Sequence, residues 1–191
     1  MQRADHDLAF MLQYENIAWY EDGKVKILDR RIYPARVEFV TCGTHQEVAQ
    51  AITDMVTQSA GPYTAVPMGM ALAAHECRDK TAAEQMEYLR KAAHTISHAR
   101  PTTVKRMALL CDLCLAEAER ALAAGEDTAQ AIVNKTVELN NTRYERVAKI
   151  GKYLVDLFPE NGTVMTHCFA ETIVGMMLRE CSERGKHKIG R

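Results

Sequence analysis

Residues 161–172 read Asn-Gly-Thr-Val-Met-Thr-His-Cys-Phe-Ala-Glu-Thr. An Asn-Gly turn signal opens the stretch, and Thr163–Thr166 has strand character. The chain then passes through His167 and Cys168 into a run with helical periodicity. A strand feeding a helix is half of a βαβ crossover, and parallel strands are normally covered on both faces. A thiol at such a junction lies where open α/β sheets bind ligands, beside helix N–H groups that stabilise an anion.

Outward from this stretch the pattern is mostly helical. Toward the C-terminus, "FAETIVGMMLRECSERG" reads as a final helix closed by Gly185. Before the turn, residues 128–158 form a helical region with a kink expected near Gly151 and a stop at Pro159. Residues 102–124 form another helix, begun by Pro101 and closed by Gly125. Two capping boxes open earlier helices, Thr44 with Glu47 and Thr81 with Glu84. The first turns Val48, Ile52, Met55 and Val56 to one face; the second turns Met86, Leu89, Ala93 and Ile96 inward. Between them, residues 57–69 (TQSAGPYTAVPMG) read as a loop because of Gly61 and Pro62. The first forty residues read as β, with an Asp22-Gly23 hairpin turn and a third strand in "ARVEFVTC" after Pro34.

The expected architecture is therefore α+β leading into α/β. Residues 1–14 are an extension, and 15–160 a small antiparallel sheet with a helical bundle. Residues 161–191 form the first strand–helix unit of an incomplete Rossmann-like domain. The strand edge left open there predicts a homodimer.

Composition narrows the partners. The 191-residue chain has a net charge of −1, with 47% hydrophobic and 26% charged residues. No basic stripe suggests nucleic acid, and no apolar run approaches a membrane span. Asp5, His6 and Asp7 interrupt any secretory signal, so a cytoplasmic location is expected. In that compartment the six cysteines are expected to be reduced and mostly structural. Cys111-x-x-Cys114 has no second pair of matching spacing, and His94/His98 lack an evident third ligand. Neither a metal nor a cofactor is expected.

Several segments in order resemble the methylthioribose-1-phosphate isomerases and the related alpha, beta and delta subunits of eukaryotic initiation factor 2B. They are "ENIAWYEDGKVKILDRRIYP", "THQEVAQAITDMV", "QSAGPY" leading into "GMALAA", "ARPTTV" and "GTVMTHC". The resemblance spans about Glu15 to Lys186. It implies a sugar-phosphate aldose–ketose isomerase acting on a phosphorylated pentose or deoxypentose. Cys168 falls on the catalytic cysteine position and Arg100 on a phosphate-binding arginine. Members of the family continue into a second half that carries an acidic partner for the cysteine, so this chain is expected to be a fragment inactive alone.

The residues themselves add to this. A proton-transfer group in a dry pocket with a fixed phosphate clamp suits the reaction, and a thiol at a helix start can be such a group. Otherwise Cys168 is a small core residue at a strand end. Arg100, just before a proline-started helix, sits where phosphate meets a guanidinium fork and backbone N–H groups; otherwise it is a surface arginine. His167 is expected on the opposite strand face with a structural role.

The loop of Gln58, Ser59, Ala60 and Gly61 departs from the isomerases, which read R-G-A-P there and hold phosphate with that arginine and the following amides. Gly61 keeps close backbone approach open, but the loop carries no arginine. Phe169 stands where the isomerases have asparagine, and so does Lys105. A second reading stays open: a non-catalytic regulatory subunit that senses a sugar phosphate or nucleotide, like the alpha subunit of initiation factor 2B.

Overall fold

A computed structural model describes residues 3–159 and 163–185. They fall into two compact units, Tyr14–Glu138 and Met1–Gln13 with Leu139–Arg191.

The Tyr14–Glu138 unit opens with a single helical turn, Tyr14–Ile17 (α1), whose Tyr14 is wholly buried. Strands Ala18–Glu21 (β1), Lys24–Leu28 (β2) and Phe39–Cys42 (β3) form an antiparallel sheet in the order β1-β2-β3. Asp22 (φ 48°) and Gly23 (φ 72°) both take the left-handed conformation that a two-residue hairpin needs, which fixes Glu21 opposite Lys24. Gly23 has a second reason to lack a side chain: a Cβ there would lie 2.7 Å from His75 Nε2. In β2, Val25 and Ile27 are buried while Lys24 and Lys26 are exposed, the alternation of a half-covered sheet.

Helix His45–Thr53 (α2) starts on Thr44, whose hydroxyl accepts from the Glu47 N–H at 3.2 Å. The Glu47 carboxylate reaches one residue further back than a capping box requires, taking the Gly43 N–H at 2.5 Å. Met55, expected on the buried face of this helix, lies beyond its end, exposed and at φ 60°.

The largest correction concerns residues 57–69. Pro62–Glu76 is a helix (α3), and every residue from Thr64 to Ala74 is buried. Pro62 occupies the first position, where a missing N–H costs nothing. Pro67 sits inside the helix, and the surrounding elements hold it. α3 packs on α2, β1 and the two helices that follow it, Ala82–Ser97 (α4) and Val104–Ala124 (α5). At Gly69 a Cβ would come within 2.9 Å of Val48 on α2 and 3.1 Å of Ile96 on α4, so the glycine permits the close approach. A helix apolar on every side shows no amphipathic period, and that is why the segment reads as loop.

α4 begins with the complete Thr81/Glu84 capping box. Leu89, Ala93 and Ile96 are buried as expected, whereas Met86 is half-buried. Gln85 is buried beside it, its amide donating to the Arg78 and Lys80 carbonyls. Between α2, α3 and α4 the Glu76 carboxylate receives the His45 backbone N–H at 3.1 Å and the Tyr88 hydroxyl at 3.2 Å. It lies 2.6 Å from His45 Nδ1. Pro101–Thr103 form a 3-10 turn ahead of α5, so Pro101 opens that turn and not the α-helix itself. Gly125 (φ 68°) ends α5. Cys111 and Cys114 face the interior, and the Cys111 thiol donates to the Ala93 carbonyl. Burial pushes the Cys111 thiol up to about 12 and raises Cys114 as well, which disfavours the thiolates a metal needs.

Helix Thr128–Asp156 (α6) gives its later residues to the second unit. There the Tyr144 hydroxyl donates to the Leu12 carbonyl at 2.7 Å, and the Ala4 N–H donates to the Asn141 side chain at 2.9 Å. The helix runs unbroken through Gly151. That glycine makes room: a Cβ would lie 3.3 Å from the Met176 backbone on Glu171–Glu183 (α7). Val155, Met177 and Cys181, with Phe158, Ile173 and Val174, form a small core between these helices.

Residues 163–166 are not a strand. A strand is held by a neighbour's backbone, and the described strands all belong to the other unit. Thr163 through Phe169 are exposed instead. The expected Asn161–Gly162 turn lies outside the described residues.

Candidate functional site

Cys168 sits in the bend that leads into α7. Its φ is 63°, and Ala170, the residue before the helix, is at 44°. Two non-glycine residues in the left-handed region mark a backbone whose shape is imposed from outside its own preferences. The bend is secured locally by the Thr166 hydroxyl donating to the Cys168 carbonyl at 3.1 Å. The Ile173 and Val174 N–H groups donate to the Ala170 carbonyl. The Cys168 side chain is exposed, in contrast to the other cysteines, which are all buried. His167 is exposed too, and with no strand there the expected opposition of faces does not apply.

The remaining candidates lie in the Tyr14–Glu138 unit. Gln58 to Gly61 form a tight turn closed by the Gly61 N–H donating to the Gln58 carbonyl at 2.8 Å. Met55 (φ 60°) ahead of it and Ser59 (φ 54°) within it take the left-handed conformation, and the Gln58 amide donates to the Met55 carbonyl. Gly61 is required by its own surroundings, because a Cβ would collide with the Thr57 hydroxyl.

Arg100 is half-buried and extended (φ −141°, ψ 108°), and its carbonyl accepts the Thr103 N–H at 3.1 Å as the 3-10 turn begins. Its neighbour Ala99 accepts the Thr53 hydroxyl at 2.9 Å, which fastens this segment to the end of α2. On the other side of the turn, the Arg106 guanidinium lies over the Tyr63 ring, 5.5 Å from its centroid. These two links, one from each flank, bring the Gln58–Gly61 turn and the Arg100 segment to one region of the unit. Tyr63 and Arg106 were not singled out from the sequence. The only available signal was the Lys105-Arg106 pair following the Arg-Pro-Thr-Thr-Val run.

The structure thus offers two arrangements, each described within its own unit. One holds an exposed thiol ahead of a helix; the other is a turn and helix start with two arginines. Such arginines can meet the oxygens of a phosphate group in a fork geometry. Among the described residues no group of three or more His, Cys, Asp and Glu is placed to hold a metal ion. His94 and His98 stack on each other, ring centroids 4.1 Å apart, on the exposed end of α4. None of the described helices is long and apolar enough to cross a membrane.

The sequence profile of the Initiation factor 2 subunit family matches residues 61–189. The chain belongs to that family. Among individual proteins, it is similar to the methylthioribose-1-phosphate isomerase of Carboxydothermus hydrogenoformans. That match has 31% identity over 156 residues, covering 80% of this chain and 44% of that protein. The putative methylthioribose-1-phosphate isomerase of Archaeoglobus fulgidus is 28% identical over 88% of this chain and 51% of its own length.

Two solved structures share the fold. The delta subunit of translation initiation factor 2B from A. fulgidus superposes with a TM-score of 0.69 at 24% identity, over 90% of this chain and 52% of that one. 5-Methylthioribose 1-phosphate isomerase from Pyrococcus horikoshii OT3 superposes with a TM-score of 0.65 at 25% identity, over 91% and 51%. The chain spans about half the length of the relatives it matches.

Proposed function

We propose that this chain contributes the phosphate-holding part and the catalytic thiol of a sugar-phosphate aldose–ketose isomerase of the methylthioribose-1-phosphate isomerase type. The observation that carries this reading is the 31% identity to such an isomerase across 80% of the chain. In this reaction a hydrogen leaves C2 of the pentose and arrives at C1, while the C2 hydroxyl becomes a carbonyl. The anomeric oxygen carries phosphate, so ring opening has to be assisted before that shift. Cys168 is the group that gives and takes a proton near the reacting carbons. Arg100, with the turn of Gln58, Ser59, Ala60 and Gly61, fixes the phosphate so that C1 and C2 stay in place. Residues 161–191 begin a Rossmann-like layer in this reading, and the protein works as a cytoplasmic homodimer.

A second reading, a sensor that binds a sugar phosphate without converting it, is favoured by the absence of any cationic side chain in residues 57–63. Two measurements separate them. Ketose formation from 5-methylthioribose 1-phosphate by the intact gene product is expected to vanish on Cys168→Ser, with the circular dichroism spectrum and calorimetric binding retained. Turnover that survives the substitution removes the isomerase reading. Binding by the unaltered protein with no turnover establishes the sensor.

A further inference from the structure

The arginines of this chain divide by what they touch. Arg31 clasps Asp29, Arg36 meets Glu38, Arg120 bridges Glu117 and Glu126, and Arg184 bridges Glu180 and Asp156. In each case a carboxylate neutralises the guanidinium. Two arginines instead lie over tyrosine rings, Arg143 on Tyr144 and Arg106 on Tyr63, and of these Arg106 is the one in the unit that holds the Gln58–Gly61 turn. An aromatic face orients the guanidinium plane without cancelling its charge, and leaves the N–H groups along its edge available to an oxyanion.

The position matters as much as the charge. Tyr63 is the second residue of α3 and directly follows the Gln58–Gly61 turn and Pro62. Its ring is half-buried, and the helix behind it is buried from Thr64 onward, so the platform under Arg106 is fixed. Residues 57–63 contain no cation of their own. Arg106, itself exposed and in the first turn of α5, therefore brings positive charge to the start of α3 from a different helix. Arg100 stands ahead of the same α5, on the far side of the Pro101–Thr103 turn.

We propose that Arg106, held on Tyr63, is a phosphate-binding residue of this protein and supplies the cation that the Gln58–Gly61 turn lacks. The ligand it meets is the phosphate monoester of a pentose. The inference rests on the reading above that a sugar phosphate binds at this turn. Arg106 and Arg100 then share the phosphate oxygens, and Tyr63 is a positioning residue that keeps the guanidinium from swinging into solvent.

Isothermal titration of the full chain tests this, with ribose 1-phosphate and inorganic phosphate as probes and unphosphorylated ribose as control. Arg106→Met is expected to weaken ribose 1-phosphate binding on the order of tenfold, the loss typical of a charge-assisted hydrogen bond. The same variant should flatten the salt dependence of binding, which a purely structural residue would leave alone. Tyr63→Leu, which keeps the charge and loses the platform, should weaken binding about threefold. Arg106 is exposed and Tyr63 half-buried at the start of α3, and circular dichroism of both variants verifies that the fold is kept. If Arg106→Met binds like the unaltered chain while Arg100→Met loses binding, the Arg106 assignment falls and the proposed function stands. If the unaltered chain binds neither phosphate probe, both fall together.

Discussion

Residues 64–74 and residues 163–169 are both rich in apolar side chains, yet the first are buried on every face of α3 and the second are exposed. Met68, Met70 and Leu72 reach full burial, whereas Met165 is 93% exposed and Phe169 57%. Composition does not separate these stretches; neighbours do. α3 lies among α2, α4, α5 and the sheet, so Pro67 and Gly69 are held in helical form by what surrounds them. The 163–169 stretch has a β-rich sequence and, among the described residues, no strand beside it, so no ladder forms. Apolar character sets what a segment gains on burial, and the rest of the fold decides whether burial is on offer.

The thiols give the sharpest way to break this contrast. Alkylation of the native chain at about pH 8 should modify Cys168 and leave Cys42, Cys77, Cys111, Cys114 and Cys181 unreacted, read by mass spectrometry of the digest. A second native-state adduct on Cys111 or Cys114 would show that the helical core opens readily. The same burial has a signature in pH. The Cys42 thiol is raised by burial from 9.0 to about 11, and Cys111 to about 12. Below pH 9 both folded and unfolded chains keep these protons. Above it the unfolded chain releases them first, so stability should fall steadily as pH rises from about 9 toward 12. A chemical-denaturation midpoint that holds level across that window would contradict the burial.

Truncation sharpens the comparison further. Leu72→Ala in α3 should cost about 3 kcal/mol in urea unfolding, because the surrounding helices close only partly over the cavity. At the other extreme, Met165→Ser should change stability by less than about 0.5 kcal/mol, as befits an exposed side chain outside any element. Equal effects at the two sites would mean that the 163–169 stretch is packed in solution.

How far the sequence carried the reading follows from the range of each signal. The Asp22-Gly23 hairpin, the Thr81/Glu84 cap and the Gly125 stop depend on a few adjacent residues, and each stands where it was expected. α3 was missed because its determinants lie on other elements: Pro67 and Gly69 inside a helix are tolerated only in that setting. The strand at 163–166 was expected from residue type alone, and strand type without a partner specifies nothing. At the candidate site, Arg100 and the Gln58–Gly61 turn were expected from family resemblance. The Tyr63–Arg106 contact joins residues far apart in the chain, and no local pattern announces it.

The Glu76 carboxylate, shared by His45 and Tyr88, makes one side chain of α3 the meeting point of three helices. Replacing Glu76 removes the partner of the His45 backbone N–H, the His45 ring and the Tyr88 hydroxyl at once, so a single substitution on α3 loosens α2 and α4 as well.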